Sequence, residues 1–385
     1  MIYKRILDLS LSSETSCVLW GPRQTGKSTL LKSLFSDSRY YDLLLADQFR
    51  RLLTDPTLIR QECDALGLNG DTQTSPIVVD EIQKVPDLLD GIHWLIENRG
   101  LRFVLCGSSP RKLKKCGGKL LGGRAVRFHL SPLVYPEIAD FSLERALNHG
   151  LLPRHYLADD PKPFLDAYVG DYLREEIVAE AASRNIPAFS RFLEIAALSN
   201  GEMVNFQNIA SECGVSAPTA KTYFQILEDT LIGRWIPAYR KKAKRRTITS
   251  PKFSFFDVGL VAHLTRRGPV SPGSELFGRA FEHFLTMEVF AHSAYSGRQY
   301  AVQFWRTASQ YEVDLVLGDG EVGIEIKSTS FAKDQHLRSL RAFKEEHGNR
   351  CLLVSQDPNP RMTEDGILIL PWREFLARLW SGEIV

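Results

Sequence analysis

The chain of 385 residues is long enough for two or three domains, and its 44% hydrophobic and 24% charged residues are typical of a globular protein. A formal net charge of +2 excludes a global field that would select nucleic acid or an acidic membrane, so such a preference must come from local patches. The six cysteines form no CxxC pair, which argues against a thiolate zinc site, and without a signal-peptide core or a membrane-spanning stretch we expect a cytoplasmic protein with no membrane contact.

A phosphate-binding loop follows the first predicted strand. Cys17 to Trp20 form a short apolar strand, "GPRQTGKS" follows the pattern GxxxxGKS, and "TLLKSLF" has helical spacing. Glycines let backbone N–H groups approach phosphate oxygens, and the helix start adds a partial positive charge. In this pattern the lysine reaches the β- and γ-phosphates and the serine binds Mg²⁺. We predict a nucleotide site made of Gly21, Pro22, Arg23, Gln24, Thr25, Gly26, Lys27, Ser28 and Thr29.

A second apolar strand ends in two acids. In "SPIVVDEIQKVPDLL", Ile77 to Val79 precede Asp80 and Glu81. We predict that Asp80 holds Mg²⁺ and that Glu81 orients or activates the attacking water, which favours hydrolysis over passive binding. The alternative is a strand that the acids merely cap. Since the sequence lacks an NKxD-type guanine-reading motif, ATP is the expected nucleotide.

A third strand, "RFVLCGSS", ends in Ser108 and Ser109. One of these hydroxyls, Ser109 in our assignment, is predicted to sense the γ-phosphate or the attacking water; the alternative is a simple strand-end cap. A basic loop then leads to Gly122, Gly123 and Arg124. Arg124 is a candidate for stabilising transition-state charge, in cis or from a neighbouring subunit, and a purely structural arginine is the alternative.

Four segments together carry a family resemblance: "GPRQTGKST", "VVDEIQKVPDLL", "CGSSPRKLK" and "LLGGRAVRFHLSPLVYPE". In this order they resemble the bacterial and archaeal AAA-type P-loop ATPases that carry a C-terminal domain of unknown function. The resemblance covers the whole chain. It implies an AAA-like ATPase domain over residues 1–130, with ATP and Mg²⁺ as cofactors and Arg124 as an arginine finger.

The middle of the chain has helical spacing. Residues 131–187, interrupted at "NHGLLPRHYLADDPKP", are predicted to form a helical lid or connector. Within residues 188–268, one helix ends near Asn200, another spans about 206–212, and a third begins with a Ser216 cap and Pro218 in its first turn. A β element at "LIGRWIPAY" follows, and this order predicts a winged helix.

Two basic features of this module point to DNA. The second helix of the helix–turn–helix offers a lysine to a groove, and six of the seven residues in "RKKAKRR" are basic, which suits phosphate contacts. A protein-interaction module with a solvated loop is the alternative. The predicted DNA-binding residues are Lys221, Arg240, Lys241, Lys242, Lys244, Arg245 and Arg246.

The segment "YEVDLVLGDGEVGIEIKS" predicts a hairpin that brings two carboxylates together. A two-residue turn at Asp319-Gly320 would place Asp314 opposite Glu325 and Glu312 opposite Lys327, with the apolar residues on the other face. Carboxylates roughly 5 Å apart repel each other, and a divalent cation would remove the repulsion.

We therefore predict a second catalytic centre, with Asp314 and Glu325 as metal ligands, Lys327 beside them, and Glu282 as an upstream acid. The element order α-β-β-β-α-β over residues 269–385 resembles the PD-(D/E)XK nuclease core, and the "WR…EVD…EIK" residues recur in the C-terminal domain of the ATPase family named above. The alternatives are a wet face carrying a Glu312–Lys327 salt bridge and a binding domain without activity.

The expected fold is α/β and multidomain: a P-loop NTPase (AAA-like) domain, a helical connector, a winged helix and a C-terminal PD-(D/E)XK-like α/β domain. The expected function is an ATP-hydrolysing protein whose nucleotide state controls a nuclease-like domain that interacts with DNA. The alternatives are a non-cleaving nucleotide switch that binds protein or DNA and a DNA-dependent ATPase motor. DNA is the expected partner, and the sequence leaves a homo-oligomer and a protein partner open.

Overall fold

The computed structural model describes residues 3–111, 113, 121–173, 185–240 and 247–385. The chain divides into two compact units. The first consists of Met1–Pro132 and Asp229–Ile232, and the second of Leu133–Glu228 and Gly233–Val385. Among the described residues, no helix is long and apolar enough to cross a membrane.

A parallel sheet forms the centre of the first unit. The described elements run in the order β1 (Ser16–Trp20), α1 (Lys27–Leu34), β2 (Tyr40–Asp42), α2 (Ala46–Thr54), α3 (Leu58–Ala65), β3 (Ile77–Asp80), α4 (Leu88–Arg99), β4 (Phe103–Gly107) and β5 (Ala125–His129). The sheet order is β2-β3-β4-β1-β5, and every pairing is parallel. Strands β1, β3 and β4 are buried along their whole length, which explains their uninterrupted apolar sequences.

The strand order positions the polar residues of this unit. Strand β4 lies between β1 and β3. Because parallel strands present their carboxyl ends at one edge of the sheet, the residues after β4 lie between the loop after β1 and the acids after β3.

The second unit begins with short helices. These are α5 (Leu143–His149), α6 (Pro153–Leu157) and α7 (Lys162–Ala167), followed by a π-helical turn at Tyr168–Leu173. The predicted interruptions within "NHGLLPRHYLADDPKP" lie at residues 150–152 and 158–161. Between them α6 begins with Pro153 at its first helical position, where its missing N–H costs nothing.

A helix–turn–helix and a two-stranded antiparallel sheet follow. The elements are α8 (Ile186–Leu198), α9 (Phe206–Cys213), α10 (Ala217–Asp229), β6 (Gly233–Ile236), β7 (Lys252–Phe255) and α11 (Val258–Leu264). Asn205 caps α9, Gly214 ends it with φ 67°, and Ser216 accepts the Thr219 N–H at 3.3 Å, as its predicted capping role requires.

A six-stranded mixed sheet ends the chain. Its elements are α12 (Glu275–Tyr295), β8 (Val302–Arg306), β9 (Glu312–Leu317), β10 (Val322–Ile326), α13 (Arg338–His347), β11 (Arg350–Ser355), β12 (Arg361–Met362), β13 (Leu368–Pro371) and α14 (Trp372–Trp380). The sheet order is β12-β13-β11-β10-β9-β8. The first elements have the predicted order. A helix is followed by three antiparallel strands, a second helix and a strand that pairs parallel.

The β9–β10 hairpin has the predicted register but a longer turn. Leu317 pairs with Val322 and Leu315 with Ile324, as predicted. The turn spans residues 318–321 instead of two residues, and Gly318 in the left-handed region donates its N–H to Ala301. The register survives because it depends on which side chains are buried.

A bulge interrupts the pairing of β9 with β8. Gln303 pairs with Val316 and Trp305 with Val313, so two residues of β9 face one residue of β8. The extra residue reverses the alternation of side chains, and Val313 and Val316 therefore enter the same apolar cluster. The wet face that the sequence left open as an alternative is excluded, because β9 is buried from Val313 to Leu317 and β10 is buried throughout.

Candidate functional site

The phosphate-binding loop is shaped by its backbone and by Lys27. Gln24 and Gly26 have φ angles of 63° and 90°, and α1 begins at Lys27. The Lys27 ammonium donates to the carbonyls of Gly21 and Pro22 at 2.8 and 2.9 Å. Burial lowers the pKa of Lys27, an effect that nearby acidic groups oppose. The lysine is thus held inside the loop, where phosphate oxygens would be stronger acceptors than the two neutral carbonyls.

Arg5 links this loop to the end of the sheet. Its guanidinium donates to the Thr25 carbonyl at 2.5 Å and to the carbonyls of Ser131 and Pro132 at 2.7 and 2.9 Å. A Cβ atom at Gly21 would lie 2.5 Å from the Leu130 carbonyl oxygen, so that position accepts only glycine without movement. Sequence reasoning missed Arg5, since it lies outside the motif.

Asp80 is fully buried at the end of β3. The Tyr40 hydroxyl donates to its Oδ2 at 2.7 Å, and the Glu81 N–H donates to its Oδ1 at 3.0 Å. Burial and the Asp80 carboxylate both raise the pKa of Tyr40, so the phenol remains a donor. With the half-buried Ser28 hydroxyl, Asp80 offers hard oxygen ligands of the kind that Mg²⁺ prefers.

Glu81 is connected to the end of β4 by Gln83. Glu81 has a left-handed backbone with φ 60°. The Gln83 amide nitrogen donates to the Glu81 carboxylate and, at 3.0 Å, to the Ser108 hydroxyl. The amide oxygen of Gln83 is buried without a hydrogen-bond partner among the described residues. Sequence reasoning missed Gln83, although its place two residues after the acids was a usable signal.

Ser109, which we predicted to sense the γ-phosphate or the attacking water, lies outside the hydrogen-bond chain to Glu81. Its hydroxyl lies 3.4 Å from the Asp229 carbonyl oxygen, and Arg111 forms a 3.1 Å ion pair with the Asp229 carboxylate. The structure thus places Ser108 in the chain of hydrogen bonds to Glu81 and Ser109 against the segment that starts at Asp229.

Arg124 lies at the surface just before β5. Its side chain is 40% exposed, pairs with Glu97 on α4 and donates to the Gly122 carbonyl at 3.3 Å. Its role as a finger remains a prediction.

Asp314 and Glu325 form a buried cluster with Lys327 in the second unit. The ammonium of Lys327 lies 2.6 Å from Glu325 Oε1 and 3.9 Å from Asp314 Oδ2. Asp314 Oδ2 also accepts the Ile326 N–H at 2.8 Å, so its carboxylate bonds to the neighbouring strand. The second oxygen of Glu325 is buried without a hydrogen-bond partner among the described residues.

Crowding of acids shifts the protonation of this cluster. Burial first, and the Asp314 charge second, raise the pKa of Glu282 to about 8 and raise the pKa of Glu325 well above its usual range. Burial works to lower the pKa of Lys327, but the adjacent carboxylates outweigh it and raise the pKa. The structure therefore brings Glu282, Asp314, Glu325 and Lys327 within electrostatic influence of one another. Their common catalytic role stays a prediction.

Glu312 has partners other than the one considered from sequence. Its Oε1 lies 2.6 Å from the Lys252 ammonium, and its Oε2 lies 2.8 Å from Nη1 of Arg306. The Glu312–Lys327 salt bridge is thus replaced by two separate ion-pair groups, because the bulge and the covered sheet surround these side chains with other cations.

The predicted metal site would depend on two carboxylates. No group of three or more His, Cys, Asp and Glu side chains in the described ranges is arranged to hold a metal ion. Two carboxylates, one with an unpartnered oxygen, remain at Asp314 and Glu325. This donor set fits Mg²⁺, which is often held by one or two protein carboxylates and several waters.

The predicted DNA-binding residues are only partly described. Lys221 lines a surface groove of about 590 Å³ with Phe206, Pro218 and Ser250. Arg240 contacts the Thr249 carbonyl at 3.4 Å. The remaining predicted residues lie outside the described ranges: Lys241, Lys242, Lys244, Arg245 and Arg246.

Family models match three consecutive parts of the chain. An AAA domain matches residues 13–139, a domain of unknown function (DUF8612) matches 140–271, and another domain of unknown function (DUF4143) matches 277–375.

Two full-length relatives and one solved structure are also similar. The uncharacterized proteins Mb2031c of Mycobacterium bovis and Rv2008c of Mycobacterium tuberculosis are each 27% identical over 325 residues, covering 81% of this chain and 70% of the relative. A refined half-complex of Thermococcus gammatolerans McrB AAA+ hexamers with bound McrC is 10% identical, covering 53% of this chain and 78% of that chain, with a TM-score of 0.22. At that TM-score it supports no conclusion about this chain.

The family match and the geometry agree for the first unit. The AAA domain match covers the glycine-rich loop, the parallel sheet and the acids after β3. The chain therefore carries an AAA-type P-loop ATPase domain, which supports ATP binding and hydrolysis.

Proposed function

We propose that this protein is a Mg²⁺-dependent ATPase whose nucleotide state controls a nuclease-like domain that interacts with DNA. The proposed ATP hydrolysis is supported above all by the hydrogen-bond chain Glu81–Gln83–Ser108. This chain lies at the sheet edge that bears the phosphate-binding loop. This chain holds the Glu81 carboxylate and the Ser108 hydroxyl at the sheet edge between that loop and β3.

Each residue of the nucleotide site has a distinct task. Lys27 binds the β- and γ-phosphates, and Ser28 and Asp80 hold Mg²⁺, which supplies charge neutralisation at the phosphates. Glu81 accepts a proton from the attacking water or orients it. Since Arg124 is exposed, we propose that it acts on the nucleotide of a neighbouring copy in a homo-oligomer.

The C-terminal sheet provides the second proposed centre. Two observations support a PD-(D/E)XK-like domain: the element order, and the cluster of buried Asp314 and Glu325 with half-buried Glu282 and Lys327. Asp314 and Glu325 would hold a divalent cation, which would stabilise charge at a phosphodiester. Lys327 would position water or balance developing charge.

The helix–turn–helix and the two strands after it support a winged-helix assignment for DNA contact. Lys221 lies at the groove formed by α9 and α10. Two residues that flank the predicted basic segment contact β8: the Tyr239 N–H donates to the Phe304 carbonyl at 2.7 Å and the Ile248 N–H to the Arg306 carbonyl at 2.9 Å. DNA bound by this module would therefore reach the sheet that carries Asp314.

One observation favours a second candidate, a nucleotide switch that binds DNA or protein without cutting. Lys327 already neutralises Asp314 and Glu325, and no three-ligand metal group exists in the described part of the chain.

Two assays on the purified chain test the proposal. Lys27→Ala and Glu81→Gln should each lower ATP turnover roughly a hundredfold or more. With Mg²⁺ or Mn²⁺, the wild type should cleave plasmid or linear DNA, and Asp314→Ala should abolish cleavage.

Glu321→Ala, which removes an exposed carboxylate from the same hairpin, serves as the matched control and should cut normally. Unchanged ATP turnover in Lys27→Ala would refute the ATPase site. Absence of DNA cleavage with normal ATP turnover would favour the switch.

A further inference from the structure

Lys252 joins the helix–turn–helix module to the carboxylate cluster. It is the first residue of β7, where it pairs with Ile236 of β6, and it bridges to Met203 shortly before α9. Although it belongs to this module by sequence and pairing, its side chain is buried and its ammonium lies 2.6 Å from Glu312 on β9.

The surroundings of Lys252 keep it charged. Burial works to lower the pKa of Lys252, but the charges of Glu282, Glu312 and Asp314 outweigh it and raise the pKa. Lys252, Glu282 and Asp314 also line one small cavity of about 40 Å³. A buried ammonium therefore shares a confined space with two acids of the proposed metal centre.

Lys252 differs from Lys327 in its origin. Lys327 follows the strand that carries Glu325, so its position is tied to the acids themselves. Lys252 is supplied by a strand of another module. The Lys252 contact therefore depends on the packing of β7 beside β9, whereas the Lys327 contact with Glu325 lies within one local segment.

We propose that Lys252 is a second cation beside the carboxylate cluster, in addition to Lys327, and that it competes with a divalent cation for Asp314 and Glu282. The inference rests on the proposed metal role of Asp314. The Lys252 ammonium would repel a divalent cation beside Asp314 and Glu282. Lys252 therefore lowers the affinity of the cluster for metal.

Mn²⁺ binding to the nucleotide-free full chain, measured by electron paramagnetic resonance, tests this. Lys252→Met should bind Mn²⁺ about tenfold more tightly than the wild type, because one repelling charge is lost. Lys252→Arg, which keeps the charge, should match the wild type. Lys333→Met, which removes an exposed lysine, should have no effect.

Two further variants separate the possible results. Asp80→Asn reveals any Mn²⁺ bound at the phosphate loop, and Asp314→Asn should lose the site that Lys252→Met strengthens. Equal Mn²⁺ affinity in the wild type and in a folded Lys252→Met, with loss in Asp314→Asn, would overturn the competition while leaving the proposed metal centre intact. Absence of an Asp314-dependent site in every variant would overturn both.

Discussion

Tyr40 and Gln83 show how the acids after β3 are controlled by single side chains. Tyr40 donates to the buried Asp80, and Gln83 donates to Glu81 and Ser108. Asp80 is thus fixed by a donor from a neighbouring strand, whereas Glu81 depends on one amide. The geometry makes Gln83 a positioning residue for the proposed water-activating carboxylate.

Replacing Gln83 should therefore slow hydrolysis without preventing nucleotide binding. We expect Gln83→Ala to lower the kcat of ATP turnover about ten- to a hundredfold, since misplacing a catalytic group by an ångström has effects of that size. Affinity for a fluorescent ATP analogue should stay unchanged. Ser109→Ala is the matched control, because Ser109 faces Asp229. An equal loss of kcat in both variants would contradict this assignment.

His155 on α6 is a buried histidine without hydrogen-bond partners for either ring nitrogen among the described residues. Its ring contacts Phe164 and Tyr168 at centroid distances of 6.5 and 6.0 Å. Burial lowers the pKa of His155 to about 4. The folded protein therefore resists protonation that the unfolded chain accepts near its usual pKa of 6.5.

The pH dependence of stability follows from this difference. The contribution of His155 is complete above pH 6.5 and is lost as pH falls toward 4, by up to about 3 kcal/mol. His155→Phe should raise the free energy of unfolding and reduce its loss in acid, as urea melts at several pH values would show. His129→Phe, at an exposed position, should retain the wild-type pH dependence. The same acid-induced loss in His155→Phe would contradict the prediction.

The sequence predicts the local motifs of the nucleotide site but not its long-range contacts. The loop residues and the two acids were predictable, because each motif lies within one strand–turn segment. Tyr40 and Arg5 were not, since Tyr40 acts on a residue 40 positions away and Arg5 on carbonyls over 120 positions away. The basic run suggested DNA contact, and that prediction stays untested.

At the scale of elements, the end of β4 shows how closely strand and site are packed. A Cβ atom at Gly107 would lie 2.5 Å from the Gln83 amide oxygen and 2.6 Å from the Trp20 ring. The glycine allows Gln83 to lie flat against the strand and reach Ser108.

Gly107→Ala should consequently disturb both packing and hydrolysis. We expect a loss of about 1–3 kcal/mol in the free energy of unfolding from overpacking, with a lower kcat. Thermal melts and ATP turnover measure the two effects. Gly268→Ala is the control, because a Cβ there meets no atom within 4 Å. Wild-type stability and kcat in Gly107→Ala would contradict the packing argument.

In the C-terminal hairpin, the sequence predicts the pairing of the two strands but not the bulge or the burial. Its register was predictable, because a slip by one residue would mix the apolar side chains with Asp314 and Glu325 on one face. The bulge in β9 was not, since it depends on pairing with β8, and it is the bulge that turns Asp314 toward Ile326. The burial of both faces also escaped prediction, because residues distant in sequence such as Phe343 on α13 provide the cover.

At the scale of the whole molecule, two polar centres lie in two compact units. The nucleotide centre belongs to the first unit and the carboxylate cluster to the second. Nothing in the sequence indicates that Asp229–Ile232, directly after the helix–turn–helix, packs with the first unit. Asp229, the last residue of α10, contacts Ser109 and Arg111 of that unit.

The proposed control of DNA binding by nucleotide state can be measured as DNA affinity, by fluorescence anisotropy with ATP, with ADP and without nucleotide. Glu81→Gln should hold the ATP-bound state, and its DNA affinity with ATP should differ about tenfold from that with ADP, a coupling free energy typical of linked sites. Lys27→Ala should show no such difference. The same DNA affinity in all nucleotide states of Glu81→Gln and the wild type would contradict the account.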